Sequence, residues 1–231
     1  MLPLGVRDTL IRASMPNPAF VLADQLSRYL NSHGIPVSGS PAIIDILPNK
    51  VNTLNTIESP RYEDIARLAN FTTNNMCAET IYKYLGYYQE GMGNYGNGKR
   101  FMDCYFRELG LEPDGVKMVD GSGLSRDNHV TTRFLCQFLS AVARQPYYQD
   151  FRSTLGLSSQ TGEAKAQPRI PKGCRLEMKG GCMSSVRGYA GYFTNTNGKV
   201  YSFAIISNNY DSSDEEMNLV LKGIIEEITK L

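Results

Sequence analysis

The sequence predicts an α+β fold in which a cluster of helices is followed by an antiparallel sheet and a closing helix. Three observations carry this: apolar residues recur at helical spacing through residues 18–144, strand-like segments with an Asn-Gly hairpin occupy residues 174–207, and one apolar stripe runs through residues 213–231.

Pro18 opens the first helix, with Ala19, Leu22, Ala23, Leu26, Tyr29 and Leu30 on a packed face, and Gly34 stops it. Pro36, Gly39, Pro41 and Pro48 make residues 35–58 a loop, with a short strand expected at Ala42–Leu47. Ser59 as cap and Pro60 as first helical residue start a second helix through Ile65 and Leu68. Asn74 begins a third, carrying Cys77, Ile81, Tyr84, Leu85 and Tyr88 on one stripe. Two more are expected at about Lys99–Leu109 and Thr131–Arg144, the latter with Phe134, Leu135, Phe138, Leu139 and Val142 inward. Near Lys172 the pattern changes period. Cys174–Lys179 alternates, with Leu176 and Met178 on a buried side and Arg175, Glu177 and Lys179 on the other. Val186–Phe193 and Val200–Ser207 are strands joined through Asn195-Thr196-Asn197-Gly198. Met217, Val220, Leu221, Ile224, Ile225 and Ile228 form the stripe of the last helix, suited to lie across the sheet.

Composition excludes several functions. The 231 residues carry a net charge of +1 and 20% charged residues, too balanced a field to recruit nucleic acid or an anionic membrane. No run reaches the roughly 18 apolar residues of a membrane span, and residues 1–11 hold no apolar stretch of signal-peptide kind. Five cysteines, odd in number and without Cys-x-x-Cys spacing, argue against a complete disulfide framework and a zinc site, and no metal or cofactor is expected.

The short motifs are weak one at a time. Gly91-Met92-Gly93-Asn94-Tyr95-Gly96 has the glycine spacing of a dinucleotide cradle but follows a helix instead of a strand, so a loop is expected. Asp120-Gly121-Ser122-Gly123-Leu124-Ser125 reads as a glycine-bracketed turn, and Lys179-Gly180-Gly181 as a surface lysine before a flexible pair. Their order gives them weight. Thr73-Asn74-Asn75-Met76-Cys77-Ala78-Glu79, then the Asp120 turn, then Lys179-Gly180-Gly181-Cys182 with Tyr189-Ala190-Gly191-Tyr192, resembles the C-terminal part of the D-alanyl-D-alanine carboxypeptidases of the low-molecular-mass penicillin-binding protein (class C) family. The likeness extends from Arg12-Ala13-Ser14-Met15-Pro16-Asn17-Pro18 and His33-Gly34-Ile35 to Phe203-Ala204-Ile205-Ile206.

The resemblance implies a β-lactamase/transpeptidase-like fold and a serine peptidase that cuts peptidoglycan stem peptides through an acyl-enzyme and is acylated by β-lactams. It gives Thr73 the place of the serine in Ser-x-Asn, Asn75 that of the asparagine and Lys179 that of the strand lysine, all as catalytic residues. Gly180 stands where the family has a hydroxyl residue, Gly181 matches, Cys182 supplies an oxyanion N–H, and Ser122 joins them on the substrate side. The family also requires a Ser-x-x-Lys nucleophile, and residues 1–231 contain none. The expectation is therefore an incomplete domain, its N-terminal half missing. Residues 1–10 would return from an accessory domain and 11–231 form the C-terminal part of the transpeptidase-like domain. Such a chain is expected to be inactive alone and to self-associate or pair with the missing half. The alternative is a non-catalytic module that binds peptidoglycan peptides on the same fold. By resemblance the location is periplasmic or otherwise extracytoplasmic.

Overall fold

The computed structural model describes residues 15–44, 52–53, 55–157 and 168–230. The chain forms two units, Met1–Glu58 and Ser59–Leu231. In the first, α1 (Pro18–Ser32) starts as expected: the Asn17 side chain accepts from Phe20 N at 3.1 Å and proline stands in the first turn. None of its residues is buried, and Leu22, Leu26 and Tyr29 are exposed, so its expected packed face has no cover among the described residues. Residues 42–44 are irregular, not strand; the rest of that expected strand, and the return segment at residues 1–10, lie outside the described residues.

In the second unit, α2 (Tyr62–Phe71) begins two residues later than Ser59-Pro60 suggested. Arg61 is still extended at φ −59°, ψ 146°, and Glu63 and Asp64 in the first turn stand in for the missing side-chain cap. The helix α3 (Asn75–Glu90) is capped by Asn74, whose Oδ1 accepts from Cys77 N. Its buried residues are Tyr82 and Gly86, while Tyr84 and Tyr88, expected inward, are exposed.

Gly91 closes α3 in the left-handed region at φ 71°, and Asn94 caps α4 (Tyr95–Glu108). The cradle-like glycines are thus a helix C-cap, a short connection and the first turn of α4. That helix starts earlier than expected because its glycines serve packing. A Cβ on Gly86 would come within 2.6 Å of Gly98 N, and one on Gly98 within 2.7 Å of Tyr82 O, so α3 and α4 touch backbone to backbone. The helix α5 (Thr132–Val142), capped by Thr131, buries Phe134, Leu139, Ala141 and Val142. The short α6 (Tyr148–Thr154) and the two-residue β1 (Gly156–Leu157) carry too few residues to show a period and were not anticipated.

The sheet is antiparallel in the order β1-β2-β3-β4, with β2 (Arg175–Met183), β3 (Val186–Thr194) and β4 (Val200–Asn208) in register from Arg175↔Thr194 to Met183↔Val186 and from Val186↔Asn208 to Thr194↔Val200. Against one face lies α7 (Asp214–Ile228), where Ile225 packs with Leu176, Met178, Phe193 and Phe203. Ser213 starts α7 with a reciprocal capping box to Glu216. Val220 and Ile224, expected in the buried stripe, are exposed. The opposite face meets the helical cluster, with Tyr192 packed on Leu139 and Leu155.

The alternation in β2 therefore does not divide a buried side from a wet one. Glu177 is 1% exposed and points into the helical face, where Arg152 Nε donates to its Oε2 at 2.6 Å and Arg175 Nε lies 2.6 Å from its Oε1. Arg152 also donates to Thr194 Oγ1 at 2.7 Å, so one guanidinium ties α6 to two strands.

Two substitutions test this packing. Arg152→Ala, which leaves Glu177 buried beside only the exposed Arg175, is expected to cost about 3–5 kcal/mol in urea unfolding. Gly86→Ala, which forces a methyl into the α3–α4 contact, is expected to cost about 1–3 kcal/mol in the same measurement.

Candidate active site

Strand β2 and the start of α3 converge. Lys179 lies two residues beyond Glu177 on the same face of β2, so its side chain also runs toward the helical cluster. Its Nζ donates to Thr73 Oγ1 at 3.1 Å, across 106 positions of sequence, and to the carbonyl of Gly180. Lys179 is thus a partnered, half-buried cation and not the solvated group its local sequence suggests.

Thr73 stands just outside the helix, before its Asn74 cap, at φ 52°. The left-handed region is uncommon for any side chain and rarer for a β-branched one, so the hydroxyl is held there at a conformational cost. Asn75 is the first helical residue of α3 and is exposed. Because a lysine ammonium only donates, Thr73 accepts in the Lys179 contact and keeps its own O–H to donate elsewhere.

The Asp120–Ser125 turn is fastened to α3. Asp120 accepts from Gly123 N at 2.8 Å, Ser125 N at 2.7 Å and Asn128 Nδ2 at 2.8 Å, which closes the turn on itself. Glu79, one turn into α3, accepts from Gly121 N at 3.3 Å, Ser122 N at 3.2 Å and Ser122 Oγ at 2.5 Å. Gly121 is required there, since a Cβ would meet Ala78 O at 2.4 Å. The hydroxyl of Ser122 is therefore engaged in attaching the turn to the helix that presents Thr73 and Asn75.

Only Glu177 and Met178 of β2 are paired with β1, so from Lys179 to Met183 this edge has no strand partner among the described residues. Gly181 and Cys182 are exposed along it. Beside α3, an apolar cavity of about 520 Å³ opens between α2, α3, α4 and α6, lined by Ala66, Ala69, Ala78, Ile81, Leu85 and Phe151 among others. Among the described residues no group of His, Cys, Asp or Glu is arranged to hold a metal ion, and all five cysteines are free thiols.

Two residues of the quoted motifs have neighbours that the motifs alone do not name. Glu79 sits in the quoted motif, but only the fold shows what its carboxylate grips. Tyr189 faces Gly180 across the sheet, and the tight Met183–Val186 connection would have given that register from sequence.

The fold is similar to that of a penicillin binding protein 4 and of β-lactamases. Penicillin binding protein 4 (dacB) from Haemophilus influenzae, solved with a β-lactam, superposes at a TM-score of 0.79 over 94% of this chain and 52% of that one, at 20% identity. The TLA-3 extended-spectrum β-lactamase superposes at 0.58 over 92% of this chain and 82% of its own, at 14% identity. Residues 1–225 match the D-Ala-D-Ala carboxypeptidase 3 (S13) family, and the chain belongs to it. Carboxypeptidase DacB of Mycolicibacterium smegmatis is 27% identical over 183 residues, 73% of this chain and 39% of the relative. The D-alanyl-D-alanine carboxypeptidase of an Actinomadura species is 24% identical over 230 residues, 90% of this chain and 42% of the relative. The chain thus spans about two-fifths of the length of these curated relatives.

Beneath the site Tyr82 donates to Met118 O at 3.1 Å, on the lead-in to the Asp120 turn. Burial, aided by the carboxylates of Asp103, Asp120 and Glu79, pushes its phenol up to about 12 from 10.0. Between these values the unfolded chain gives up a proton that the folded chain keeps, so stability falls as pH rises from 10 toward 12. Tyr82→Phe is expected to flatten that part of the stability–pH curve, read by urea unfolding at alkaline pH. An unchanged slope would contradict the assignment.

Proposed function

We propose that residues 1–231 carry the substrate-gripping and proton-relaying half of a D-alanyl-D-alanine peptidase site, and bind the D-Ala-D-Ala end of peptidoglycan stem peptides or a β-lactam there. The observation that carries this reading is the Lys179–Thr73 contact at 3.1 Å, which joins the strand lysine and the Ser-x-Asn-like segment into one cluster. Lys179 supplies a cation for the terminal carboxylate. Thr73, accepting from Lys179, has its O–H free to hand a proton to a departing amine. Asn75 offers its amide to the substrate peptide, and the main chain at Gly181 and Cys182 lies along the open edge of β2, where an extended peptide can pair.

The nucleophile is not among these residues, because no serine here is followed three positions later by lysine. Acyl transfer then needs a Ser-x-x-Lys segment from outside residues 1–231, whether in the same protein or a partner. The apolar cavity of about 520 Å³ between α2, α3, α4 and α6 gives such a segment a surface to pack on, and self-association is the competing way to cover it. A second reading, a peptide-binding domain without hydrolytic activity, is favoured by glycine at position 180, which offers the carboxylate no hydroxyl. Under either reading the substrate places the work outside the cytoplasmic membrane. Among the described residues no helix is long and apolar enough to cross one.

The test is intact-mass analysis after incubation with a reactive penicillin, alongside calorimetric titration with diacetyl-Lys-D-Ala-D-Ala. The expected outcome is no adduct, and saturable peptide binding weakened at least about tenfold by Lys179→Ala, the loss of one charge-assisted hydrogen bond. A stoichiometric adduct would mean that a residue in this chain serves as nucleophile. Peptide binding indifferent to Lys179→Ala would remove the assigned anion site.

A further inference from the structure

Arg187 is a buried cation with an unfilled hydrogen bond. It is 6% exposed, yet among the described residues its only carboxylate partner is Asp214, itself 61% exposed and 3.3 Å away. Nη1 donates to Asn218 Oδ1 at 2.7 Å, while Nε is sealed from solvent with no acceptor among the described residues. Burial works against the charge, and the hydroxyls of Tyr210 and Tyr189 and the sulfur of Cys182, in that order, offset it, so that the guanidinium pKa is raised on balance. A guanidinium in this state favours one more anionic oxygen on its Nε side.

Cys182 stands across the sheet from it. The two are directly paired in the β2–β3 register, so their side chains leave the same face, toward α7, with β-carbons about 4.5–5.5 Å apart. The thiol is free and exposed, on the stretch of β2 that has no outer strand partner among the described residues, which leaves it open to small oxidants. Cys136, by contrast, is partly buried, and burial pushes its thiol up.

We propose that Cys182 is an oxidation site whose sulfinate is received by Arg187. One hydrogen peroxide takes the thiol to a sulfenic acid and water, a second takes that to a sulfinic acid and water, and the sulfinic acid releases its proton to solvent. The sulfinate oxygens accept from the unfilled Nε–H and add the negative charge that the exposed Asp214 supplies incompletely. The anion also stands beside the open edge of β2, where it repels a peptide carboxylate. That last effect alone rests on the reading of Lys179 as the carboxylate-binding cation.

The experiment is a hydrogen peroxide titration of the full chain, read by mass mapping of each cysteine peptide, with Cys104, exposed on α4, as internal reference. The Cys182 peptide is expected to gain two oxygens several-fold faster than the Cys104 peptide. Arg187→Lys keeps a charge but has no nitrogen at the Nε position, and is expected to bring the two rates together. Cys182→Asp, which imitates the sulfinate, is expected to melt above Cys182→Asn, a comparison that holds even if the lysine variant folds poorly. The oxidised chain is expected to bind diacetyl-Lys-D-Ala-D-Ala several-fold more weakly than the reduced one. Equal oxidation of Cys182 and Cys104 in the wild type, or Cys182→Asp melting no higher than Cys182→Asn, overturns the site. Sulfinate formation that leaves peptide binding intact overturns the effect on the ligand. Absence of peptide binding by the reduced chain overturns the Lys179 reading, while the mass and melting results decide the oxidation site by themselves.

Discussion

A carboxylate in the interior holds this fold's geometry. Glu177, the third residue of β2, has two guanidinium partners, Arg152 from α6 and Arg175 from its own strand. Such a pair adds little net stability against an apolar substitute of the same shape, yet breaking it leaves an uncompensated charge. Its value here is positional. Glu177 fixes which face of β2 turns to the helices, and by the two-residue period of a strand that decides the direction of Lys179. Slipping the strand by one residue would drive Leu176 and Met178 off their core and turn Lys179 toward α7.

The other half of the site hangs on α3. Three glycines let neighbours approach it at backbone distance: Gly86 and Gly98 at the α4 crossing, and Gly121 under the Asp120 turn. Glu79 then converts proximity into hydrogen bonds, gripping two amides and a hydroxyl of that turn. The helix is thus located by main-chain contacts on two sides, and its N-terminal end, with Asn75 in the first turn and Thr73 just before the cap, inherits that placement. Small residues do here what large side chains do in an ordinary core: they set distance by contact, with less freedom to relax.

Much of this was legible in sequence, for physical reasons that differ by element. The β2–β4 meander and α5 announced themselves because their patterns are set by burial on a full element length. The helix starts expected at Pro18, Asn74, Thr131 and Ser213 fall within one residue of the observed ones, where Asn17, Asn74, Thr131 and Ser213 act as caps. The start of α2 was misplaced because the Ser59-Pro60 cap signature competed with an extended Arg61. The α4 start was hidden because Gly96 and Gly98 look like loop residues until their neighbour across the crossing is known. Glu177 was assigned to the solvent side because alternation reports polarity, and a buried ion pair reads as polar. Of the site, the three motifs could be found in order, but their meeting could not, since the Lys179–Thr73 contact depends on strand facing and helix placement together.

Thr73 carries a further consequence. Asparagine or glycine relaxes in the left-handed region more readily than a β-branched residue, so folding by itself rewards replacing this threonine. Under the proposed function the hydroxyl is kept for its contact with Lys179. The residue therefore works as a gauge of selection: lineages released from ligand binding would drift toward a conformationally easy residue at this position, while lineages that retain a hydroxyl at a strained backbone declare that the chemistry is still being used.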